Sequence, residues 1–338
     1  NMYNSNWGYQ NGRVRNARVR KTFEPVTILK YTVNPSDNLE ASATLLWRTG
    51  KNGYTAMDWY DAADPRPDYY RNLPSYFWME DPDYDRQNFT KFAWAEEAWT
   101  NRTDAYANFQ HLNWDKLYNV NYNNVDAKGL KRSKYVIEER RVDQNDLNFS
   151  ANVKWNATKW FTLTGGASYK WNRTEYYKKL DDLLGGDYYM NIDQFAERDF
   201  ASTPVMVQND LDYYFAHGNQ AQILHKGDKY GYDYYANVRK AEIWANGAFD
   251  LGNFKANVAL QAGYEKFWRN GLVRKGLFPG LNEDGSELII DGKNLTTYEM
   301  VNGVKTPISS KGKSAVADFF TYSAKLGLQY HFEGGHRI

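Results

Sequence analysis

The chain of 338 residues contains no cysteine. That excludes disulfide scaffolds, thiolate metal sites and cysteine nucleophiles together, although it leaves the compartment open. No apolar run approaches the roughly 20 residues that a membrane-crossing helix needs, so the chain is not a helical membrane protein. An excess of charge of either sign is also lacking: 42 Lys and Arg stand against 41 Asp and Glu, which gives nucleic acid no reason to be a partner. The start, NMYNSNWGYQ, has neither a basic segment nor an apolar core, so the expectation is that either a signal peptide has been removed or the chain is a piece of something longer. The five histidines are scattered without metal-ligand spacing, and no nucleophile elbow, phosphate loop or dinucleotide fingerprint occurs. The adjacent carboxylates Glu96 with Glu97 and Asp181 with Asp182 point to different sides of any regular element, as solvated charges do.

What is abundant is the aromatic side chain: Tyr 28, Trp 12 and Phe 17 make up 17% of the chain, as in strands, carbohydrate-facing surfaces or membrane interfaces. In residues 147–171 the apolar set Leu147, Phe149, Ala151, Val153, Trp155 alternates with Asn148, Ser150, Asn152, Lys154. After a short turn Phe161, Leu163, Gly165, Ala167, Tyr169, Trp171 alternate with Thr162, Thr164, Gly166, Ser168, Lys170. Period-two alternation over this length predicts a long antiparallel hairpin. The unit recurs around NPSDN (34–38), with Leu29, Tyr31, Val33 before it and Leu39, Ala41, Ala43, Leu45, Trp47 after. It recurs again around DLGN (250–253), and a last strand carries Phe320, Tyr322, Ala324, Leu326, Leu328, Tyr330 and Phe332 on one face. About seven strands are expected.

Between hairpins lie long irregular segments, about 51–131, 172–236 and 269–312. Compact domains rarely hold structureless connections beyond ~15 residues. Alternating tight turns and very long loops is the pattern of a transmembrane β-barrel, with short periplasmic turns and elaborated extracellular loops. In hydrocarbon only helices or closed barrels satisfy the backbone, and a strand crosses in ~9 to 11 residues, apolar outward and polar inward. The strand ends carry Trp47, Trp155, Trp160, Trp171, Tyr264, Phe267, Trp268, Tyr330 and Phe332, where aromatic girdles sit. The fold class expected is therefore all-β, an antiparallel transmembrane barrel portion, with Lys154, Lys170, Lys255, Glu265 and Lys325 lining the lumen. The same alternation also builds soluble sandwiches; the asymmetry of the connections favours the barrel.

The segment AMDWYDAADPRPDYYRNLPSYFW (56–78) gathers rings around three prolines and is the expected ligand- or plug-contacting loop, through Trp59, Tyr60, Arg66, Tyr69, Tyr70, Arg71, Tyr76 and Trp78. The bland alternative is that these rings pack loops against one another. Asp81, Asp83 and Asp85 have calcium-loop spacing, but Arg86 stands where Gly is wanted and Phe92 where a bidentate Glu is wanted, so this is no EF-hand. A solvated acidic turn is expected there, a loop-bound Ca2+ being the alternative; no cofactor is expected.

At GYQNGRVRNARV (8–19), ADPRPDYYRNLPSY (63–76), NWDKLYNVN (113–121), LLGGDYY (183–189) with DQFAERDF (193–200), and GDKYGYDY (227–234) the sequence resembles the barrel region of large TonB-dependent outer-membrane receptors of the Bacteroidota. These are the Oar-like group, in which a carboxypeptidase-regulatory-like domain precedes the plug. The resemblance implies energised uptake of a scarce or large ligand across a Gram-negative outer membrane. The TonB-ExbB-ExbD complex would act through a plug, and a surface lipoprotein or other outer-membrane subunits, lipid and lipopolysaccharide would be further partners. Family members carry a signal peptide, a TonB box, a plug and about 22 strands. With about seven strands and none of the others, residues 1–338 are expected to be one internal portion of such a barrel. The rival expectations are a small self-contained barrel or adhesin that binds without transport, and a secreted β-rich carbohydrate enzyme needing a facing carboxylate pair.

Overall fold

The computed structural model describes residues 4–79, 91, 93–97, 99, 110–301 and 303–332, with backbone alone for 77–79. Its strands, in chain order, are β1 (Trp7–Gln10), β2 (Arg13–Asn16), β3 (Arg20–Phe23), β4 (Val26–Ser36), β5 (Leu39–Trp59), β6 (Tyr135–Thr158), β7 (Phe161–Asp182), β8 (Tyr189–Met190), β9 (Ile223–Leu224), β10 (Lys229–Leu251), β11 (Phe254–Gly271), β12 (Ile289–Ile290), β13 (Lys293–Asn294), β14 (Tyr298–Val301), β15 (Val304–Pro307), β16 (Gly312–Lys313) and β17 (Ala317–Tyr330). The α-helices whose full span is described are α1 (Pro74–Met79), α2 (Trp114–Asn123), α3 (Gln194–Phe200) and α4 (Leu211–Ala216), and the described residues 91, 93–97 and 99 are helical as well.

Nine strands form one antiparallel sheet in seven lateral positions. Its order is β4 with β3, then β5, β6, β7, β10, β11, then β17 with β16. β3 and β4 pair with successive stretches of β5, and β16 and β17 with successive stretches of β11, so each edge is one interrupted strand. Among the described residues the two edges meet no partner, and the sheet is open. At one end the strands are joined by two-residue turns, Asp37–Asn38, Lys159–Trp160 and Gly252–Asn253. Gly252 takes φ +78°, which a side chain disfavours. At the other end the connections are long, at 60–134, 183–228 and 272–311.

The strands rise further than the alternation alone suggests. β5 continues to Trp59, β7 to Asp182 and β11 to Gly271, past the expected loop starts at 51, 172 and 269. Apolar alternation fades there because both faces turn polar, but ladder hydrogen bonds need no apolar side chain. β6, in turn, begins at Tyr135 and β10 at Lys229, against expected loop ends at 131 and 236.

Among the described residues buried hydrophobic side chains gather at the long-loop end, most of them in three small clusters. Trp114, Leu117, Tyr135, Ile137 and Leu184 form one; Val136, Leu180, Tyr189, Leu224 and Tyr230 a second; Val205, Leu211, Tyr214, Leu288 and Leu295 a third. Tyr135 and Ile137 alternate with Val136, so the first two clusters cover opposite faces of the same strand end.

Candidate membrane belt and ligand-facing loops

Register carries the alternation of each strand across the whole sheet. One row runs Ala41, Val153, Gly165, Ala245, Leu260, Ala324; the next runs Ala43, Ala151, Ala167, Ile243, Ala262, Tyr322; the next Leu45, Phe149, Tyr169, Ala241, Tyr264, Phe320. β4 extends these rows with Val33, Tyr31 and Leu29. This face is apolar without interruption, yet it is uncovered: Leu29 is 68% exposed, Ile243 63%, Leu326 69% and Tyr322 83%. A soluble protein of this size does not leave such a continuous surface in water.

Rings bound the apolar rows above and below. Towards the short turns stand Trp155, Trp160, Phe161, Phe249, Phe254 and Tyr330, with Phe161 and Phe249 centred 4.8 Å apart. Towards the long loops stand Trp47, Trp171, Tyr169 and Tyr264, and two of these use their polar atoms: Trp47 Nε1 donates to Asn145 Oδ1 at 2.9 Å, and the Tyr264 hydroxyl to Asp318 at 2.9 Å. Rings with an apolar body and a hydrogen-bonding tip suit a boundary between hydrocarbon and water. From Phe161 to Trp171 the strand rises about 34 Å, which a tilt of about 40° reduces to roughly 25 Å, the height of a lipid-facing band.

All five residues expected on the inner side lie on the opposite, polar face. Lys154 shares a row with Glu40, Thr164, Asn246 and Lys325; Lys170 shares one with Asn148, Lys240 and Glu265; Lys255 faces Asp250 at 2.8 Å. Phe267 departs from its expected place among the outward rings. It falls on the polar face, stacked on Phe319 at 5.9 Å, because it pairs with Val238 and Ala317 one residue out of phase with Tyr264. Trp268, the next residue, is the outward one.

Above the upper rings the strands carry charge. On the polar face Lys178 Nζ donates to Asp58 and Glu138 at 3.0 Å each, the Tyr230 hydroxyl lies 3.0 and 3.1 Å from the same two carboxylates, and Arg140 pairs with Glu138. Glu138 is fully buried. Burial opposes the ionised form of Asp58, but Lys178 beside it wins and holds its pKa below the ordinary range. Burial likewise opposes charge on Lys178, and the two carboxylates raise its pKa above the usual value. Gly231 lies in the bulge between Tyr230 and Asp233 that brings Tyr230 opposite Lys178. It takes φ +73°, and a Cβ there would lie 2.5 Å from Lys178 Cε.

Three of the five motifs that carry the family resemblance converge on one corner. The hairpin of β1 and β2, turned by Asn11 and Gly12 at positive φ, places Arg15 4.3 Å over the fully buried Trp114. Arg15 also donates to Asp182 at 2.6 Å and to the Tyr118 hydroxyl at 3.0 Å. On the buried side of α2, the Asn121 amide donates to the carbonyls of Tyr135, Leu183 and Leu184 at 2.8 to 3.1 Å. Its oxygen accepts from the backbone of Lys134 and Tyr135 at 2.8 and 3.0 Å. Asn121 therefore ties the helix to two strand ends. Neither this hub nor the Asp58, Glu138, Lys178, Tyr230 cluster figures among the residues singled out from sequence. Their signal was membership of NWDKLYNVN and GDKYGYDY for Asn121 and Tyr230, and charges persisting inside strand-like segments for the others.

The expected ligand loop divides in two. Tyr69, Tyr70 and Tyr76 form an edge-to-face ladder, with centres 4.8 and 5.5 Å apart, and Arg71 Nε donates to the Tyr70 hydroxyl at 2.8 Å. Arg66 is held by Asp64 and lies 5.5 Å from the Trp59 ring, which packs on the Trp114 cluster. Tyr60 leaves on the other face, under Arg132 at 4.7 Å, and donates to Glu197. Burial, then the Glu197 hydrogen bond, push its pKa up to about 12. α1 includes Trp78, but its side chain lies outside the described residues, as do Asp81, Asp83 and Asp85. Among the described residues no group of three or more His, Asp or Glu is gathered as a metal would need.

No protein-family model matches the chain, and no curated protein matches it. Among solved structures the chain is similar to the ferric-catecholate import receptor Fiu from E. coli K12. For the open form the identity is 10%, over 94% of this chain and 34% of that one, with a TM-score of 0.42. For the closed form the identity is 9%, over 93% and 31%, with a TM-score of 0.40. The chain spans about a third of the length of those structures.

Proposed function

We propose that the sheet is part of the wall of a transmembrane β-barrel in a Gram-negative outer membrane, with the apolar rows towards lipid and the polar rows towards a lumen. The observation that carries this reading is the uninterrupted, uncovered apolar face between two rows of rings, on strands whose opposite face carries Lys, Glu, Asn and Gln. The two-residue turns then face the periplasm and the long loops the outside. The motif resemblance supports a finer reading: a portion of a TonB-dependent transporter of the Oar-like group in Bacteroidota, which imports a nutrient ligand through a plug driven by the TonB-ExbB-ExbD complex. Within it, the ladder Tyr69, Tyr70, Tyr76 with Arg71 and Arg66 offers rigid rings and cations for ligand or plug contact. Lys154, Lys170, Lys255, Glu265 and Lys325 line the lumen.

The lack of cysteine makes the test direct. Single cysteines at Leu45, Ile243 and Leu326 are expected to resist a water-soluble maleimide in membranes and to react with a lipid-phase reagent, while one at Asn119 reacts with the water-soluble reagent on intact cells. Equal, fast aqueous labelling at the three belt positions refutes the membrane orientation.

A further inference from the structure

Three strands bring one amine and two carboxylates together on the polar face near the long loops. Asp58 stands near the end of β5, Glu138 near the start of β6 and Lys178 near the end of β7. Lys178 Nζ lies 3.0 Å from Asp58 Oδ2 and 3.0 Å from Glu138 Oε2, and the two carboxyl groups are within hydrogen-bonding reach of each other. Tyr230 closes the site: its ring centre lies 4.2 Å from Lys178 Nζ and its hydroxyl 3.0 Å from Asp58 Oδ2, and it packs with Val136, Leu180, Tyr189 and Leu224. The Lys178 side chain is 18% exposed and that of Glu138 is fully buried. Because β6 runs between β5 and β7, no ladder hydrogen bond joins the strands that carry Asp58 and Lys178.

An amine held against one carboxyl group, with a second carboxyl placed to move protons and water largely kept out, is the arrangement that amide formation needs. Contact of this kind gives an effective concentration on the order of 10⁵ M or more. Condensation also removes two opposite charges whose burial is costly. The raised pKa of Lys178 keeps its protons from bulk water, but the transfer required runs only 3.0 Å, to Glu138. Arg140 holds Oε1 of Glu138, which leaves Oε2 facing the amine.

We propose that Lys178 and Asp58 condense to an isopeptide bond, with Glu138 as the proton carrier. The bond from Lys178 Nζ to Asp58 Cγ forms and one Cγ–O bond of Asp58 breaks. Nζ gives up two protons, Glu138 relays both to the departing oxygen, and one water leaves; nothing is oxidised or reduced. The Tyr230 hydroxyl stabilises the negative charge that develops on Asp58 Oδ2. The structure holds the triad before condensation, and the titration of Asp58 and Lys178 belongs to that state. The product is a covalent staple from β5 to β7 across β6, at the roots of the connections 60–134 and 183–228. Lys229 supplies an internal comparison: it touches Glu175 and Asp233, but its side chain is 43% exposed, and it is expected to remain an ion pair. The bond needs only the folded sheet, not the membrane orientation. The test is the mass of the full chain, folded in lipid, incubated and then denatured, followed by peptide mapping. The wild type is expected to end one water lighter than its sequence, with a branched peptide joining Asp58 to Lys178. Glu138→Gln is expected to keep its full mass. Asp58→Asn is expected to reach the same final mass as the wild type, because ammonia leaves in place of water and the product is identical. The wild type decides the matter even where a variant fails to fold. Full sequence mass after incubation, a linear peptide lighter by one water, or a branch at Glu138 or Lys229 overturns the bond.

Discussion

At the scale of single residues, two polar side chains do the most to shape the loop end. Asn121 is fully buried and makes five hydrogen bonds to backbone groups. Asn121→Ala leaves those groups unpaired at roughly 1 to 3 kcal/mol each where water cannot enter. Faster protease nicking of the folded protein at 183–189 is the expected result, with the belt unaffected. Lys178→Met leaves Asp58 without its cation, while Glu138 keeps Arg140, at a cost of roughly 3 to 5 kcal/mol. The pH response has a definite sign. Because the Asp58 pKa is lowered on folding, its contribution is present above the ordinary aspartate range and is lost as pH falls through the depressed value. Because the Lys178 pKa is raised, its contribution holds below the ordinary lysine range and is lost as pH rises through the raised value. The opening free energy at the top of β5 and β6, read from hydrogen exchange referred to the intrinsic rate at each pH, should stay level at intermediate pH and fall at both extremes. In Asp58→Asn the acid arm should shrink; an unchanged acid arm assigns it to another group. Neither residue was legible beforehand, because what makes them matter is burial by chain far away in sequence.

The elements themselves were far more legible. The hairpins around NPSDN, the turn before Phe161 and DLGN are where alternation placed them, since each strand of the belt must show one face to one environment along its full length. Adjacent residues on β11 give the sharpest test. Val258 is in an apolar row and Asn257 in a polar one. Val258→Arg is expected to destabilise the lipid-inserted protein by roughly 2 to 4 kcal/mol, and Asn257→Arg by much less. Urea unfolding from lipid vesicles measures both, and a nearly neutral Val258→Arg refutes the lipid-facing assignment of that face. Strand tops were misjudged because hydrogen-bonded ladders outlast the alternation that announces them. Phe267 was misplaced because an aromatic residue next to Trp268 carries no label for its face.

For the whole molecule, the two ends differ in kind. Protease added to intact cells is expected to cut within 183–228 or 272–311 and to spare Asp37–Asn38, Lys159–Trp160 and Gly252–Asn253, which become accessible only when the outer membrane is opened. Cleavage at those turns on intact cells reverses the orientation. The aromatic loop was foreseen as one surface, whereas the structure splits it: Tyr69, Tyr70 and Tyr76 remain together with Arg71, while Trp59 and Tyr60 serve two clusters on opposite faces of β5. A loop of 60–134 is too long for local pattern to say which of its rings meet.

Alternation with period two, short turns and ring-bearing strand ends were enough to establish long antiparallel hairpins with one apolar and one polar face, because side-chain direction in a strand is a local property of the backbone. Which rows align across the sheet, that the apolar rows stay uncovered between two lines of rings, and that Asn121 and Lys178 lock the loop end were decided by tertiary structure alone. Those facts depend on register and on contacts between segments tens of residues apart, and no local pattern encodes a neighbour that the chain reaches only by folding.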